Sequence, residues 1–250
     1  LLTRSNDFPI EVLYLRDDDI PQAVSRGVAD LGIVGQNEVD EKGYEVDRLL
    51  RLGFGKCRLS LAVPKSEAYD SLSWFEGKRV ATSYPRILSQ YFRDNKINAE
   101  IHEIAGSVEI APAVGMADAI FDIVSSGGTL VSNGLREVEM VCRSEAVLIA
   151  RPGMEEAKQK LIDQLIFRFE AVERSRGMKY VLLNIPCSRV REASRILPGM
   201  KSPTVLSLER DGWCAMHVVI REGELWGKIE ELKTIGAEDI LVLALEKMIV

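Results

Sequence analysis

The chain is poor in several of the groups that mark common protein classes. It has two histidines in 250 residues, His102 and His217, far apart, so a histidine-built metal centre is not expected. Its four cysteines, Cys57, Cys142, Cys187 and Cys214, are scattered without a Cys-x-x-Cys, which excludes a zinc ribbon or a dithiol motif. Most lie in apolar, strand-like surroundings and are expected to be buried free thiols of a reducing cytoplasm, not disulfides. Basic residues are outnumbered 32 to 38, giving a net charge of -6, so there is no basic face for a nucleic-acid partner. No apolar run is long enough to span a bilayer and the opening stretch has no signal-peptide pattern, so neither membrane nor export is expected. An initiator methionine is also lacking: the chain opens at Leu1 and enters a strand almost at once.

What is present is enough apolar material, 46% of residues, for two or three compact units with their own cores. The stretch 117–130 (Ala-Asp-Ala-Ile-Phe-Asp-Ile-Val-Ser-Ser-Gly-Gly-Thr-Leu) organises the rest. Its first half alternates like a short buried strand and carries Asp118 and Asp122. Its second half, Ser125, Ser126, Gly127, Gly128 and Thr129, combines hydroxyl donors with backbone free to take positive φ. Two readings fit such a bend: a tight turn between strands, or a cradle of amides for a phosphate, with Thr129 capping the segment that follows. The carboxylates just upstream favour the cradle, because a sugar phosphate needs acceptors for its hydroxyls beside donors for its phosphate.

Around that stretch the pattern alternates strand and helix. A strand over 10–16 leads into Asp17, Asp18 and Asp19, then a short helix with Pro21 in its first turn and Asp19 placed to cap it, then a strand over 29–34. This β-α-β unit predicts a parallel sheet with its sites at the strand C-termini. Asp17 and Asp18 have no capping duty and are candidates to face a ligand. Further strands are expected over 58–64, 78–83 and 99–105, with a helix over 85–95 whose Ile87, Leu88, Tyr91 and Phe92 share a face. Ser107 is placed to cap a helix beginning near Glu109, and that carboxylate either suits the helix dipole or accepts from sugar hydroxyls. Residues 137–150 read as one long strand-like run, and 154–174 as the longest helix, with Ala157, Leu161, Leu165, Phe169 and Val172 as its buried stripe. Two lobes joined by crossing strands make a cleft with its ligand at the hinge.

The last stretch reads strand 178–185, helix 188–197, strands 204–208 and 214–220, helix 223–235 and strand 239–245, the split βαβ plan in the order βαββαβ. Pro198-Gly199, Asp211-Gly212 and Gly236 sit where its turns fall. It holds no convergent acids, no glycine-rich cradle and no nucleophile beside a base, so it is expected to sense or assemble.

Several segments in register resemble ATP phosphoribosyltransferase, long form: 16–21 (Arg-Asp-Asp-Asp-Ile-Pro), 30–35 (Asp-Leu-Gly-Ile-Val-Gly), 81–85 (Ala-Thr-Ser-Tyr-Pro), 106–109 (Gly-Ser-Val-Glu), 122–130, 133–139 and, near the end, 197–199, 202–204 and 236–247. The resemblance spans essentially the whole chain. It implies an α/β fold with a two-lobed periplasmic-binding-protein-like (type II) catalytic core and a C-terminal ferredoxin-like βαββαβ regulatory domain. The first lobe would take 1–64 and 143–176, the second 65–142, the regulatory domain 177–250. It implies transfer from phosphoribosyl pyrophosphate to N1 of ATP with Mg²⁺ on the phosphates. Ser125, Ser126, Gly127, Gly128 and Thr129 would hold the donor's 5-phosphate. Asp122 and Glu109 would be the catalytic acids near its hydroxyls, assisted by Asp118, with Asp17, Asp18 and Tyr84 on the nucleotide side. Histidine would bind between chains of a cytoplasmic hexamer at Ser202, Thr204 and Ala237. The family opens one strand and one helix earlier, with a Gln-x-x-Gly-Arg-like stretch at the nucleotide site; a chain without that unit is expected to be inactive or poorly folded. The bend also has Ser126 where the family pattern has threonine, which keeps the hydroxyl.

Two other classes fit parts of the pattern. A two-lobed solute-binding module with an amino-acid-sensing tail shares the fold but turns nothing over. The effector half of a transcription regulator would want a helix-turn-helix or a basic patch, and neither is present.

Overall fold

The chain begins with a short hairpin. In the computed structural model, which describes residues 2–250, β1 (Leu2–Arg4) pairs antiparallel with β2 (Glu11–Leu13), Leu2 opposite Leu13. The strand expected over 10–16 is thus three residues long, exposed on both faces, and not part of a parallel β-α-β unit. A 3-10 turn over Asp17–Asp19 leads into α1 (Ile20–Ser25), with Pro21 in its first turn as expected. Asp19 occupies the cap position in helical conformation, and its side chain makes no cap bond.

Next come β3 (Leu31–Gly35), α2 (Gln36–Lys42) and β4 (Asp47–Arg51). Helix α2 carries one apolar residue, Val39, so no periodicity announces it. It ends on Gly43 in the left-handed region (φ 62), whose amide donates to the Val39 carbonyl. After β5 (Cys57–Pro64) and a 3-10 turn at Leu72–Phe75 follow β6 (Arg79–Thr82), α3 (Pro85–Asp94) and β7 (Glu100–Glu103). A 3-10 turn at Val108–Ile110, β8 (Ala119–Val124), α4 (Gly128–Ser132), β9 (Leu135–Ser144) and β10 (Ala146–Ala150) complete the first unit, Leu1–Glu155.

These strands form two sheets. One has the order β3-β10-β4 and is antiparallel throughout, against the parallel expectation. The other has the order β7-β6-β8-β5-β9. Here β6 runs parallel to β7 and β8, while β5 is antiparallel to both of its neighbours. The chain passes between the sheets twice, through residues 52–56 and at Glu145, the single residue between β9 and β10. The long run over 137–150 is therefore two strands in two sheets. Residues 57–64 belong to the second lobe's sheet, not to the first lobe where the sequence boundary at 64 placed them.

Core packing follows the pleat. Leu59, Leu61 and Val63 on one face of β5 meet Phe75, Leu88 and Phe92, while Ala62 on the other meets Ala81, Ile120 and Leu130. Burial on both faces accounts for the nearly unbroken apolar run of β5. The first lobe has a smaller core of Val24, Val34, Val39, Val147 and Ile149.

The second unit, Glu156–Val250, holds α5 (Glu156–Ser175), β11 (Met178–Pro186), α6 (Val190–Ile196), β12 (Thr204–Ser207), β13 (Trp213–Arg221), α7 (Glu222–Thr234) and β14 (Glu238–Ala244). Its sheet order β12-β13-β11-β14, antiparallel throughout, is the ferredoxin-like arrangement the sequence predicted. One core packs both helices on one face, with Val181, Leu183, Ile185, Met216 and Leu232 at its centre. Two expectations fail in this unit. The buried positions of α5 are Ile162, Ala171 and Ser175, whereas Leu161 and Val172 are exposed; α5 also groups with this unit instead of the first lobe. Cys187 and Cys214 are joined in a disulfide, because the β11–β13 register puts Ile185 opposite Cys214 and so brings Cys187 beside it. Cys57 and Cys142 are free, and burial pushes both thiols up. Among the described residues no helix is long and apolar enough to cross a membrane.

Candidate functional site

Strand β8 buries Ala119, Ile120 and Phe121 and delivers the chain to the second lobe's surface at Ser125. There the backbone turns at Gly127 (φ 82), which a side chain would strain, and α4 opens at Gly128. Thr129 is the second residue of α4 and not its cap; Gly127 holds that position. The Gly128 amide donates to Ser126 Oγ at 3.4 Å. Among the described residues, the amides of Ser126, Gly127, Thr129 and Leu130 have no hydrogen-bond acceptor. Ser125, Ser126, Gly128 and Thr129 are exposed.

The base of the bend is fixed from β5. Arg58 Nη1 donates to the Ser125 carbonyl at 3.1 Å, while its Nε and Nη2 each donate to Glu137 at 2.5 Å. Glu137 also accepts from Ser60 Oγ at 2.7 Å. The Arg58 guanidinium holds the Glu137 carboxyl below the usual carboxylate range. Sequence reasoning missed this group, though Arg58 and Ser60, two apart in an otherwise apolar strand, were its signal.

Asp122 and Glu109 are near enough for the charge of one to act on the other. Burial raises the Asp122 pKa; the Ile123 amide at 2.7 Å opposes that shift, and the charge of Glu109 adds to it. Glu109 stands half-buried in the 3-10 turn over Val108–Ile110, where a helix was expected. Ser107 caps nothing: it is left-handed (φ 52) and its side chain makes no cap bond.

Asp118, expected to assist Asp122 and Glu109 at the donor's hydroxyls, stands apart from them. It precedes the first residue of β8, about 20 Å from the bend by strand rise. Its carboxylate is taken by Arg79, at 2.8 Å from Nη2, 3.2 Å from Nε and 2.9 Å from the backbone amide. Arg79 lowers its pKa accordingly.

On the first lobe Asp17 is exposed and Asp18 half-buried, the latter paired with Arg16 at 3.2 Å. Both charges reach Glu38, a buried acid of α2 that the sequence did not single out; burial is the chief cause of its raised pKa. Glu38 accepts from the Tyr84 hydroxyl at 3.0 Å and from Asn37 Nδ2 at 2.9 Å. Tyr84 is itself buried, and burial together with the Glu38 and Asp122 charges pushes its phenol up. Tyr84 thus feels one acid from each lobe, Glu38 of the first and Asp122 of the second. Among the described residues no cluster of three or more His, Cys, Asp or Glu side chains is arranged to hold a metal ion.

In the C-terminal unit, Ser202 and Thr204 are exposed at the start of edge strand β12, and Ala237 is buried just before β14. These strands are opposite edges of the sheet, so the two positions are at least about 14 Å apart within one chain.

The fold so described is a two-lobed, periplasmic-binding-protein-like (type II) core followed by a ferredoxin-like domain. The family described as ATP phosphoribosyltransferase matches residues 16–171, and the one described as HisG, C-terminal domain, matches 175–247. The ATP phosphoribosyltransferase of Bacteroides fragilis is 56% identical over 250 residues, covering 100% of this chain and 88% of that protein. That of Cytophaga hutchinsonii is 51% identical over 243 residues, covering 97% and 85%. Among solved structures, the ATP phosphoribosyl transferase (HisG:HisZ) complex from Thermotoga maritima superimposes with a TM-score of 0.57 at 25% identity, covering 66% of this chain and 84% of that one. The chain belongs to the ATP phosphoribosyltransferase family and is an enzyme of the glycosyltransferase class, which removes the non-catalytic binding module and the regulator half as alternatives.

Proposed function

We propose that this chain joins the anomeric carbon of phosphoribosyl pyrophosphate to N1 of ATP, releasing pyrophosphate in the first step of histidine biosynthesis, with the bend 125–129 gripping the donor. The observation that carries the residue assignment is the set of four unpartnered amides beside exposed hydroxyls, at the end of the strand that presents Asp122. Those amides, with Ser125, Ser126 and Thr129, hold the 5-phosphate. Asp122 and Glu109 accept from the ribosyl hydroxyls and stabilise positive charge at the anomeric carbon as pyrophosphate departs with the bonding pair. N1 of adenine carries a lone pair and no proton, so the new C–N bond needs no base at that atom. Asp17, Asp18 and the Tyr84 region face the nucleotide, and positioning supplies much of the rate.

Two carboxylates whose charges act on one another suit a Mg²⁺ whose other ligands are substrate phosphates and water. Asp122 and Glu109 are the residues that would meet it, and it would supply charge neutralisation on the leaving pyrophosphate. We assign the enzyme to the cytoplasm as a hexamer built from dimers, inhibited by histidine at the C-terminal unit. Thr204 and Ala237 on opposite sheet edges fit an effector held between chains, since one histidine does not reach both within a single chain.

The test is to incubate the protein with ATP, phosphoribosyl pyrophosphate and Mg²⁺ and follow product absorbance. Thr129→Ala is expected to raise the donor KM with the fold intact; an unchanged KM would remove the bend from the site. Histidine is expected to inhibit the intact chain and to do so more weakly in Thr204→Ala. Equal inhibition of the two would place the effector elsewhere.

A further inference from the structure

Helix α3 begins in a way that leaves its first turn in need of an outside partner. Its cap residue is Tyr84, whose side chain makes no cap bond, and its first residue, Pro85, has no amide to offer. The first two amides available are those of Arg86 and Ile87. Both donate to the carboxylate of Glu41, at 2.9 Å to Oε1 and 3.0 Å to Oε2. Glu41 belongs to α2, in the other lobe. A helix of the second lobe is thus capped by an acid of the first, with the charge sign that suits a helix N-terminus.

Other contacts repeat this bridge. Glu38 and Asn37 of α2 hold the Tyr84 hydroxyl, and the Arg86 guanidinium lies over Gly43, where a side chain would overlap it. The opposite end of α2 is fixed at the crossing between the sheets. There the Gln36 amide donates to the Glu145 carbonyl at 2.9 Å, and Asn37 exchanges hydrogen bonds with Ser144 Oγ at 3.1 and 2.7 Å. Helix α2 therefore spans from the crossing to the second lobe, and resists rotation of one lobe against the other about that crossing.

We propose that Glu41 is a positioning residue: by capping α3 from across the lobes, it fixes the angle at which Asp17 and Asp18 face the phosphate bend and Asp122. This rests on the reading that the two substrates bind on opposite lobes. A ligand that needs both lobes aligned binds with an apparent constant divided by the aligned fraction, so loosening the latch weakens both substrates by the same factor.

The experiment compares the full-length protein with Glu41→Ala, Glu41→Gln and, as a stability control, Val80→Ala in the second lobe's core. Glu41→Ala is expected to raise the KM for both substrates about tenfold. Glu41→Gln, which keeps one acceptor oxygen, should recover part of the loss. Val80→Ala is expected to lower Tm without moving either KM. If Glu41→Ala lowers Tm and leaves both KM values unchanged, Glu41 only stabilises the fold and the proposal fails. A change in one KM alone would mean direct contact with that substrate and would also overturn it. A readout without substrate separates this from the assignment of the reaction. Spin labels are placed through Val28→Cys and Met116→Cys, exposed on the first and second lobes, with Cys57→Ser and Cys142→Ser. Labelled chains are diluted with unlabelled ones, so that only distances within a chain are read. The distance distribution should be narrow with Glu41 and broad with Glu41→Ala. Identical distributions would refute the latch even if the transferase assay succeeds, and a broadened one would uphold it even if that assay fails.

Discussion

Asp118 and Asp122 flank and occupy one strand, share a side chain, and meet opposite fates. Asp118 is met by the Arg79 fork and backbone, and its pKa is lowered. Asp122 is half-buried without a cation, and burial and Glu109 raise its pKa. Two arginines differ only in where they sit. Arg79 grips Asp118 and gives its Nη1 to the Gly115 carbonyl, remote from the bend, while Arg58 grips Glu137 and gives its Nη1 to the Ser125 carbonyl at the bend itself, each at 3.1 Å. The lesson is that an acid whose partners are complete belongs to the scaffold, and one left incomplete marks where a ligand is to finish the set.

The sharpest way to break this comparison is to neutralise each aspartate in turn. Asp122→Asn is expected to lower kcat/KM about 100-fold with stability unchanged or raised, as for lost charge stabilisation. Asp118→Asn should keep activity and lose about 0.5–1 kcal/mol of stability, because its partly exposed ion pair is screened by solvent. Steady-state kinetics and urea midpoints on both variants decide it; the reverse pattern would return Asp118 to the site. Next in size are the arginines. Arg58→Lys, which cannot hold both Glu137 and the Ser125 carbonyl in the same fork, should raise the donor KM about tenfold and spare the ATP KM. Arg79→Lys should spare both. The smallest effect is on pH dependence, where the aspartates pull in opposite directions. Asp118, with its pKa lowered, adds stability at neutral pH that is lost as pH falls through its folded value. Asp122, with its pKa raised, costs stability at neutral pH, and that cost is relieved as pH falls through its folded value. Removing Asp122 should therefore make stability rise more steeply with pH just above 3.8, and removing Asp118 should flatten the rise below it, in urea titrations run across that range.

The βαββαβ part of the C-terminal unit was legible because its central strands β11 and β13 alternate buried and less buried positions, and Asp211-Gly212 and Gly236 mark its turns. The bend at 125–129 was legible from chemistry alone. What escaped was information that exists only after folding. Alternation cannot tell Asp118 from Asp122, since the difference lies in Arg79, which is 39 residues from Asp118. Glu38 and Glu41 look like the solvated face of a helix until α3 is placed against them. Cys187 and Cys214, 27 residues apart, become partners only through the β11–β13 register. The strand over 10–16 failed for a different reason: its composition suits a strand, but among the described residues only β1 pairs with it.

Glu145 leaves no slack between β9 and β10. Side chains alternate along a strand, so one extra residue there would invert the facing of everything downstream: Val147 and Ile149 would swap their places in the small first-lobe core with their neighbours. Evolution can lengthen the other passage, at residues 52–56, far more cheaply, so length variation among relatives should gather at that linker and spare the single-residue joint.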